Sequence, residues 1–338
     1  MPHTNISKGA LAKQMKEQSN KIRKTKRKPL KILLLIVLIL IAFIGYKGIR
    51  TYYKLQNATQ GELLHSSLRK QEIKDTQPFS ILFLGIENYA TKGKGGRTDS
   101  IILVTVNPKD KTIQKMSIPR DTYVEIPDQK RKSKINGAYN SGLQSTVNTV
   151  ENFLHVPIDY YVTVDFGGFK NIVDEIGGID VDVPFDFWQY SDTKPRYKVY
   201  FKKGNQHLNG TEALAYARMR KRDPRGDFGR EERQQQAMLA IIDKLKSPKT
   251  LFKIDKYASV FSENVKTNMS LSEGLYLFND MKEANPKNIT TLKLEGKDDY
   301  INRIYYYMPD QTSVNAITNS LRNHLELDKL PANSIKSK

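Results

Sequence analysis

An unbroken apolar run, Ile32–Tyr46 (ILLLIVLILIAFIGY), preceded by a basic tail, constrains this chain more than any other feature. A run that is apolar on every side is no amphipathic face of a soluble helix; it belongs in lipid or in a deep core. At 1.5 Å of rise per residue it covers roughly 22 Å, short of a ~30 Å hydrocarbon core. Extending the span over 31–49, with Lys31 and Lys47 reaching back to the two interfaces, closes that gap. A cleaved signal peptide is the competing reading of so short a run. No pair of small residues two apart follows it, and the tail before it is unusually long, which favours an uncleaved anchor.

Residues 1–30 hold Lys21, Arg23, Lys24, Lys26, Arg27 and Lys28 among other cations, against the single acid Glu17. With almost nothing apolar to bury, the tail is expected to be disordered. Its charge puts it on the cytoplasmic side, so everything after Arg50 is expected outside, in a single-pass type II arrangement in the cell membrane. A basic tail beside a membrane span reads as a topology and lipid signal, so nucleic acid is not an expected partner. The chain has 338 residues, a formal net charge of +19 and no cysteine. The outer part must therefore rest on its own core without disulfides, and thiol chemistry and cysteine-held metals are excluded.

Residues 50–77 are polar and read as a stalk, and 78–327 as one folded domain with 328–338 a frayed end. Within the domain, Phe79–Ile86, Ile101–Val106, Thr112–Ile118, Asp159–Val164, Ile179–Val183 and Thr290–Leu294 have strand character. Helical periods occur at Ser141–Leu154, Gly167–Ile176, Gly229–Lys246, Ser270–Glu283 and Thr312–Leu325, and Asn209 with Glu212 forms an N-terminal capping signal. The alternation predicts an α/β fold, a central mixed sheet flanked by helices.

Three segments carry charge where elements meet. Gly96–Ser100 contains Arg97 and Asp99 just before a strand, and Ser117–Thr122 contains Arg120 and Asp121 at a strand end, where ligand groups gather in α/β sheets. Each alone could be a solvated turn. Tyr216–Arg220 leaves a helix with Arg218 and Arg220 two apart, so both can aim at one ligand. Arg222, Arg225 and Arg230 follow, and Gln234 shares a helical face with Arg230 near the helix N-terminus. So many like charges repel unless an anion relieves them, and arginine is suited to bidentate phosphate contacts. Asp227–Phe228–Gly229 matches a kinase metal motif only in letters, Lys92–Gly96 lacks the P-loop pattern, and no histidines have metal spacing.

These segments resemble the LytR–CpsA–Psr family of Gram-positive envelope proteins. The resemblance is carried by LFLGIEN (82–88), RTDSI (97–101), SIPRDT (117–122), KINGAY (134–139), DEIGGIDVDVP (174–184), LNGTEALAYARMR (208–220) and DFGREERQQ (227–235), in that order. It implies an extracellular enzyme that takes a glycopolymer from a polyprenyl-pyrophosphate carrier and joins it through a phosphodiester to a muramic-acid hydroxyl of peptidoglycan. It further implies Mg²⁺ at the pyrophosphate and an apolar groove for the lipid tail. Carried over, Asp99 is the metal carboxylate, with Arg97, Arg120, Arg218, Arg220 and Arg230 clamping the pyrophosphate and Gln234 supporting it. The family's first motif ends in Asp where this chain has Glu87, which leaves the role of Glu87 at the metal open. Asp121 is the nearest candidate base, or else it holds Arg120 in place. The polymer, wall teichoic acid or capsular polysaccharide, is left open. A membrane-bound regulator or sensor of lipid-linked intermediates, and a pyrophosphate hydrolase, are the competing functions.

Overall fold

A computed structural model of the chain describes residues 77–87, 96–245, 263–270 and 288–328, with single positions at 61, 64, 66, 68, 69, 73, 260, 261, 273 and 274. The chain divides into two units, Met1–Tyr53 and Lys54–Lys338, and all described residues belong to the second. The expected tail, membrane span, most of the stalk and the frayed end lie outside the described residues. Among those described, no helix is long and apolar enough to cross a membrane.

In chain order the strands are β1 (Phe79–Glu87), β2 (Arg97–Asn107), β3 (Thr112–Ser117), β4 (Tyr123–Ile126) and β5 (Arg131–Lys134). Then come β6 (Tyr160–Asp165), β7 (Ile179–Val183), β8 (Phe187–Tyr190), β9 (Lys198–Phe201) and β10 (Gly204–Leu208). The last are β11 (Val265–Thr267), β12 (Ile289–Leu292), β13 (Gly296–Ile301) and β14 (Ile304–Pro309). The α-helices are α1 (Leu143–Leu154), α2 (Phe166–Glu175), α3 (Gly210–Arg218), α4 (Asp227–Leu245) and α5 (Gln311–His324).

The central sheet has six strands in the order β11-β6-β1-β2-β3-β12. The β1–β6 and β3–β12 pairs are parallel, and β1–β2, β2–β3 and β6–β11 antiparallel, so the sheet is mixed. Its middle strands are apolar on both faces because helices cover both. Leu82, Leu84, Ile101, Leu103 and Met116 face one way, into a core closed by Val147, Val150 and Leu154 of α1 and Val314, Ile317 and Leu321 of α5. Ile81, Ile102, Val104 and Ile113 face the other way. On that side α2, α3 and α4 pack with the small β7–β10 sheets around Val173, Val181, Phe187, Phe201, Tyr216 and Met219.

The expected fold class holds, and most expected elements lie within a few residues of their predicted bounds. One difference matters. Arg97–Ser100 does not precede a strand but belongs to β2, which begins at Arg97. The hairpins β4–β5, β8–β9 and β13–β14 were not expected; they are short and partly polar, so alternation does not mark them. The expected helix at 270–283 falls mostly outside the described residues.

Candidate active site

Between the sheet and helices α2 and α4 lies a cavity of about 1340 Å³. Its walls are Ile81, Phe83, Ile102, Val104 and Val162 from the sheet and Phe169, Ile172, Met238, Ile241 and Ile242 from the helices. Asp99, Arg120, Arg218, Arg220, Arg230 and Gln234 line the same cavity. Most of the expected site residues therefore come together at one apolar pocket, although the longest separation among them exceeds a hundred residues of chain.

Local structure explains how each gets there. In the β1–β2 pairing Gly85 faces Ser100 and Ile86 faces Thr98, so Asp99 is the extra residue of a β-bulge. Strand alternation alone would give Asp99 the face of Ile101 and Leu103; a bulge re-aims the side chain, here into the cavity. Arg218 is the last residue of α3, and its guanidinium lies 5.0 Å from the Phe166 ring centre. Met219 leaves the helix in an extended conformation and is fully buried, which keeps Arg218 and Arg220 both at the cavity. Arg230 and Gln234 stand one turn apart on α4.

The arginines are held by carboxylates. Arg120 Nη1 donates to Asp99 Oδ1 at 2.5 Å. Asp227, in the first turn of α4, bridges Arg220 Nη2 (3.0 Å) and Arg230 Nη2 (2.8 Å). Asp121 is buried and meets Lys134 Nζ at 2.7 Å, Arg220 Nη1 at 3.5 Å and Arg120 Nε at 3.8 Å. Burial works against the Arg120 charge, but Asp99, through charge and hydrogen bond, with Asp121 and Asp227 behind it, holds its pKa above the ordinary value. Arg230 goes the other way: burial first, then Arg120 and Arg220, outweigh Asp227 and Asp99 and lower it. It remains a cation, since a guanidinium keeps its proton in proteins.

Two N–H groups are left over. Arg120 Nε and Arg230 Nε are buried without a hydrogen-bond partner among the described residues. A buried donor in that state costs about 1–3 kcal/mol, and an anion with several oxygens would relieve both.

Two expected residues stand elsewhere. Glu87 ends β1 opposite Arg97, and neither lines the cavity; Arg97 is exposed. Arg222 and Arg225 also leave the cluster: Arg222 stacks 3.4 Å above the Trp188 ring, and Arg225 Nη1 pairs with Glu232 at 2.7 Å. Among the described residues no three His, Asp or Glu side chains gather into an all-protein metal site. One carboxylate, Asp99, beside an anion site still fits Mg²⁺, which keeps waters and takes further ligands from phosphates.

Sequence reasoning gave Asp227 no role, although it stands in the false kinase motif and in the DFGREERQQ stretch, and an acid three residues before Arg230 in a first helical turn is a legible pairing signal. It also missed Arg233, which is fully buried, bonds Asp223 and the Met219 carbonyl, and donates to the Tyr216 carbonyl at 3.2 Å. This side chain pins the 219–226 turn that carries Arg220. Gly229 makes room for it: a Cβ there would sit 1.8 Å from the Asp223 carboxylate.

Comparison with known proteins agrees with this architecture. The model of the LytR_cpsA_psr family matches residues 43–323. The chain belongs to this family. It is 49% identical over 294 residues to the polyisoprenyl-teichoic acid--peptidoglycan teichoic acid transferase TagV of Bacillus subtilis (strain 168), covering 84% of this chain and 75% of the relative. The crystal structure of B. subtilis TagV superposes with a TM-score of 0.67 at 52% identity, covering 76% of this chain and all of that one (100%). The family protein YwtF (TagT), solved with bound octaprenyl pyrophosphate lipid, superposes with a TM-score of 0.61 at 33% identity, over 78% of this chain and 96% of that one.

Proposed function

We propose that this LytR_cpsA_psr protein is a polyisoprenyl-teichoic acid--peptidoglycan teichoic acid transferase, acting at the outer face of a Gram-positive cell membrane. The observation that carries this reading is the pairing of a large apolar cavity with four arginines at its wall, two of them with unmatched buried N–H groups. A molecule that is apolar at one end and doubly anionic at the other, a polyprenyl pyrophosphate, matches that pairing. The likeness to TagV and to the lipid-bound YwtF supports the same class of substrate.

Phosphoryl transfer asks the protein for alignment and charge neutralisation more than for covalent chemistry. Arg120, Arg218, Arg220 and Arg230 hold the two phosphates, and Gln234 lies beside them. A peptidoglycan hydroxyl oxygen then bonds to the glycan-linked phosphorus while the bridging P–O bond breaks. Polyprenyl monophosphate leaves with the electron pair, and the hydroxyl proton passes to solvent or to that phosphate. Charge builds on the bridging oxygen as the bond breaks, and fixed guanidiniums in an apolar surround stabilise it. Asp99 is the carboxylate suited to Mg²⁺, which when bound neutralises phosphate charge. Arg97, exposed and outside the cavity lining, is not part of the set that holds the phosphates.

Asp121, buried among three cations, acts as a positioning residue for Arg120 and Arg220 rather than as a base. An anchor over 31–49 would keep the enzyme beside its lipid-borne substrate at high effective concentration. The test combines the purified full chain with lipid-pyrophosphate-linked teichoic acid, uncrosslinked peptidoglycan oligomer and Mg²⁺. Covalent attachment of polymer that is lost in Asp99→Ala supports the reading. No attachment by the wild type, or equal attachment by both, sinks it.

A further inference from the structure

The β13–β14 hairpin presents tyrosines that neither the core nor the cavity explains. Tyr300 and Tyr305 are direct cross-strand partners with ring centres 5.7 Å apart, and Tyr300 is 67% exposed. The Tyr305 hydroxyl donates to Asp298 Oδ1 at 2.8 Å. Tyr306 packs edge-on against Tyr123 at 4.8 Å, and Lys134 Nζ lies 5.6 Å from the Tyr305 ring centre and 5.7 Å from that of Tyr306. None of these four tyrosines lines the cavity.

The face is nonetheless bolted to the arginine cluster. The Arg220 guanidinium lies 5.5 Å from the Tyr305 ring centre. Behind it, the Tyr307 backbone N–H donates to the Asp121 carbonyl at 2.9 Å, and the Asp121 side chain holds Arg220 and Lys134. Whatever lies on the tyrosines is therefore set at a fixed distance from Arg220.

We propose that this tyrosine face is the subsite for the acceptor glycan strand of the transfer reaction. A pyranose ring has a C–H face and a rim of hydroxyls. A tyrosine ring covers the first, and a carboxylate such as Asp298 accepts from the second; the apolar body and polar tip of tyrosine suit such a half-wet surface. The exposed cation Arg303, in the hairpin turn, suits the carboxylates borne by the lactyl groups and peptide stems of peptidoglycan. The donor is already accounted for by the cavity and the four arginines, whereas the second substrate has no site among those residues.

The assignment rests on the transferase reading for the identity of the glycan, so the test separates the two. With the full chain, initial transfer rates are measured against varied acceptor oligomer and, separately, varied lipid donor. Tyr300→Ala is expected to raise the acceptor KM about tenfold, the loss of one aromatic stacking contact, with the donor KM unchanged. Tyr300→Phe, which keeps the ring, is expected to restore the wild-type acceptor KM. An unchanged acceptor KM in Tyr300→Ala, or a rise confined to the donor KM, overturns the proposal; the second result would give the face to the donor's glycan. If the wild type transfers nothing, acceptor oligomer binding is followed directly by saturation-transfer NMR. Binding lost in Tyr300→Ala then upholds the subsite while the transferase reading fails, and equal binding by both proteins overturns the subsite as well.

Discussion

Asp227 holds two guanidiniums at once, so its charge serves both alignment and folding. In Asp227→Asn we expect transfer to fall by on the order of 100-fold, the scale of an ångström of misplacement, and the melting temperature to fall as well, because the buried Arg230 loses its ion-pair partner. Arg120→Lys should do nearly as much damage as Arg120→Ala, because an ammonium cannot keep Asp99 and a phosphate in one plane. Single-turnover rates with bound donor check both. Glu231, one residue from Arg230, carries a pH signature of its own. Burial, with Asp227 and Glu232 adding to it and Arg230 opposing, pushes its carboxyl from 4.5 up to about 7. The folded state then binds this proton more tightly than the unfolded chain, so stability is highest below pH ~4.5 and falls as pH rises towards 7. Glu231→Gln should therefore stabilise the protein at pH 8, by up to a few kcal/mol, and hardly at all near pH 4.5. Denaturant midpoints at the two pH values decide it.

At the scale of elements, the site depends on how helices start and turns are pinned. Helix α3 opens with a complete capping box: the Asn209 side chain accepts from the Glu212 N–H, and the Glu212 carboxylate accepts from the Asn209 N–H, both at 3.0 Å. Asn209→Ala should cost about 1 kcal/mol and lower the melting temperature by roughly 2–4 °C, with kcat intact because Arg218 leaves from the other end. The turn after α3 is a different case. Arg233 and Asp223 form a fully buried ion pair, and without Arg233 the buried Asp223 keeps only the longer Arg225 Nε contact at 3.6 Å and the Arg225 N–H. Arg233→Ala should destabilise by about 3–5 kcal/mol and also loosen Arg220, so urea unfolding and activity should fall together. At the β2 bulge, Gly85 admits Ser100 so closely that a Cβ would come within 3.1 Å of the Ser100 Cβ. The bulge that aims Asp99 therefore has little room for a larger residue opposite.

The whole molecule separates apolar capture from charge recognition. A prenyl tail moving from a bilayer into the cavity exchanges one apolar surround for another, so its burial adds little net free energy, whereas in water each buried CH₂ is worth about 0.8 kcal/mol. Donor affinity in a membrane should then depend weakly on tail length and fall with salt, because the arginine–phosphate contacts near the surface are screened. The same donor series delivered from water should show a steep dependence on tail length. Binding to nanodisc-borne and to monomeric donors of different lengths distinguishes the two regimes.

Much of this could be read without coordinates. Periodicity marked β1, β2, β3, β6, β7, α1, α2, α4 and α5 because their apolar residues must reach a core on fixed faces, and the cap of α3 is a local pattern three residues long. The arginine cluster was legible as unbalanced charge. What the sequence could not resolve was which charges share a space. Arg97, Arg222 and Arg225 look like Arg218 and Arg220 on paper, yet strand start, the Trp188 ring and Glu232 take them elsewhere. Asp99 needed a bulge that only the β1–β2 register reveals, and Asp121 gained Arg220 as a partner from a segment far away in the chain. Local pattern is set by neighbours within a turn or two, so the sequence by itself determined the elements and the sign of the ligand. Long-range packing alone decided which side chains meet, because a charge takes its meaning from whatever the fold brings within a few ångströms of it.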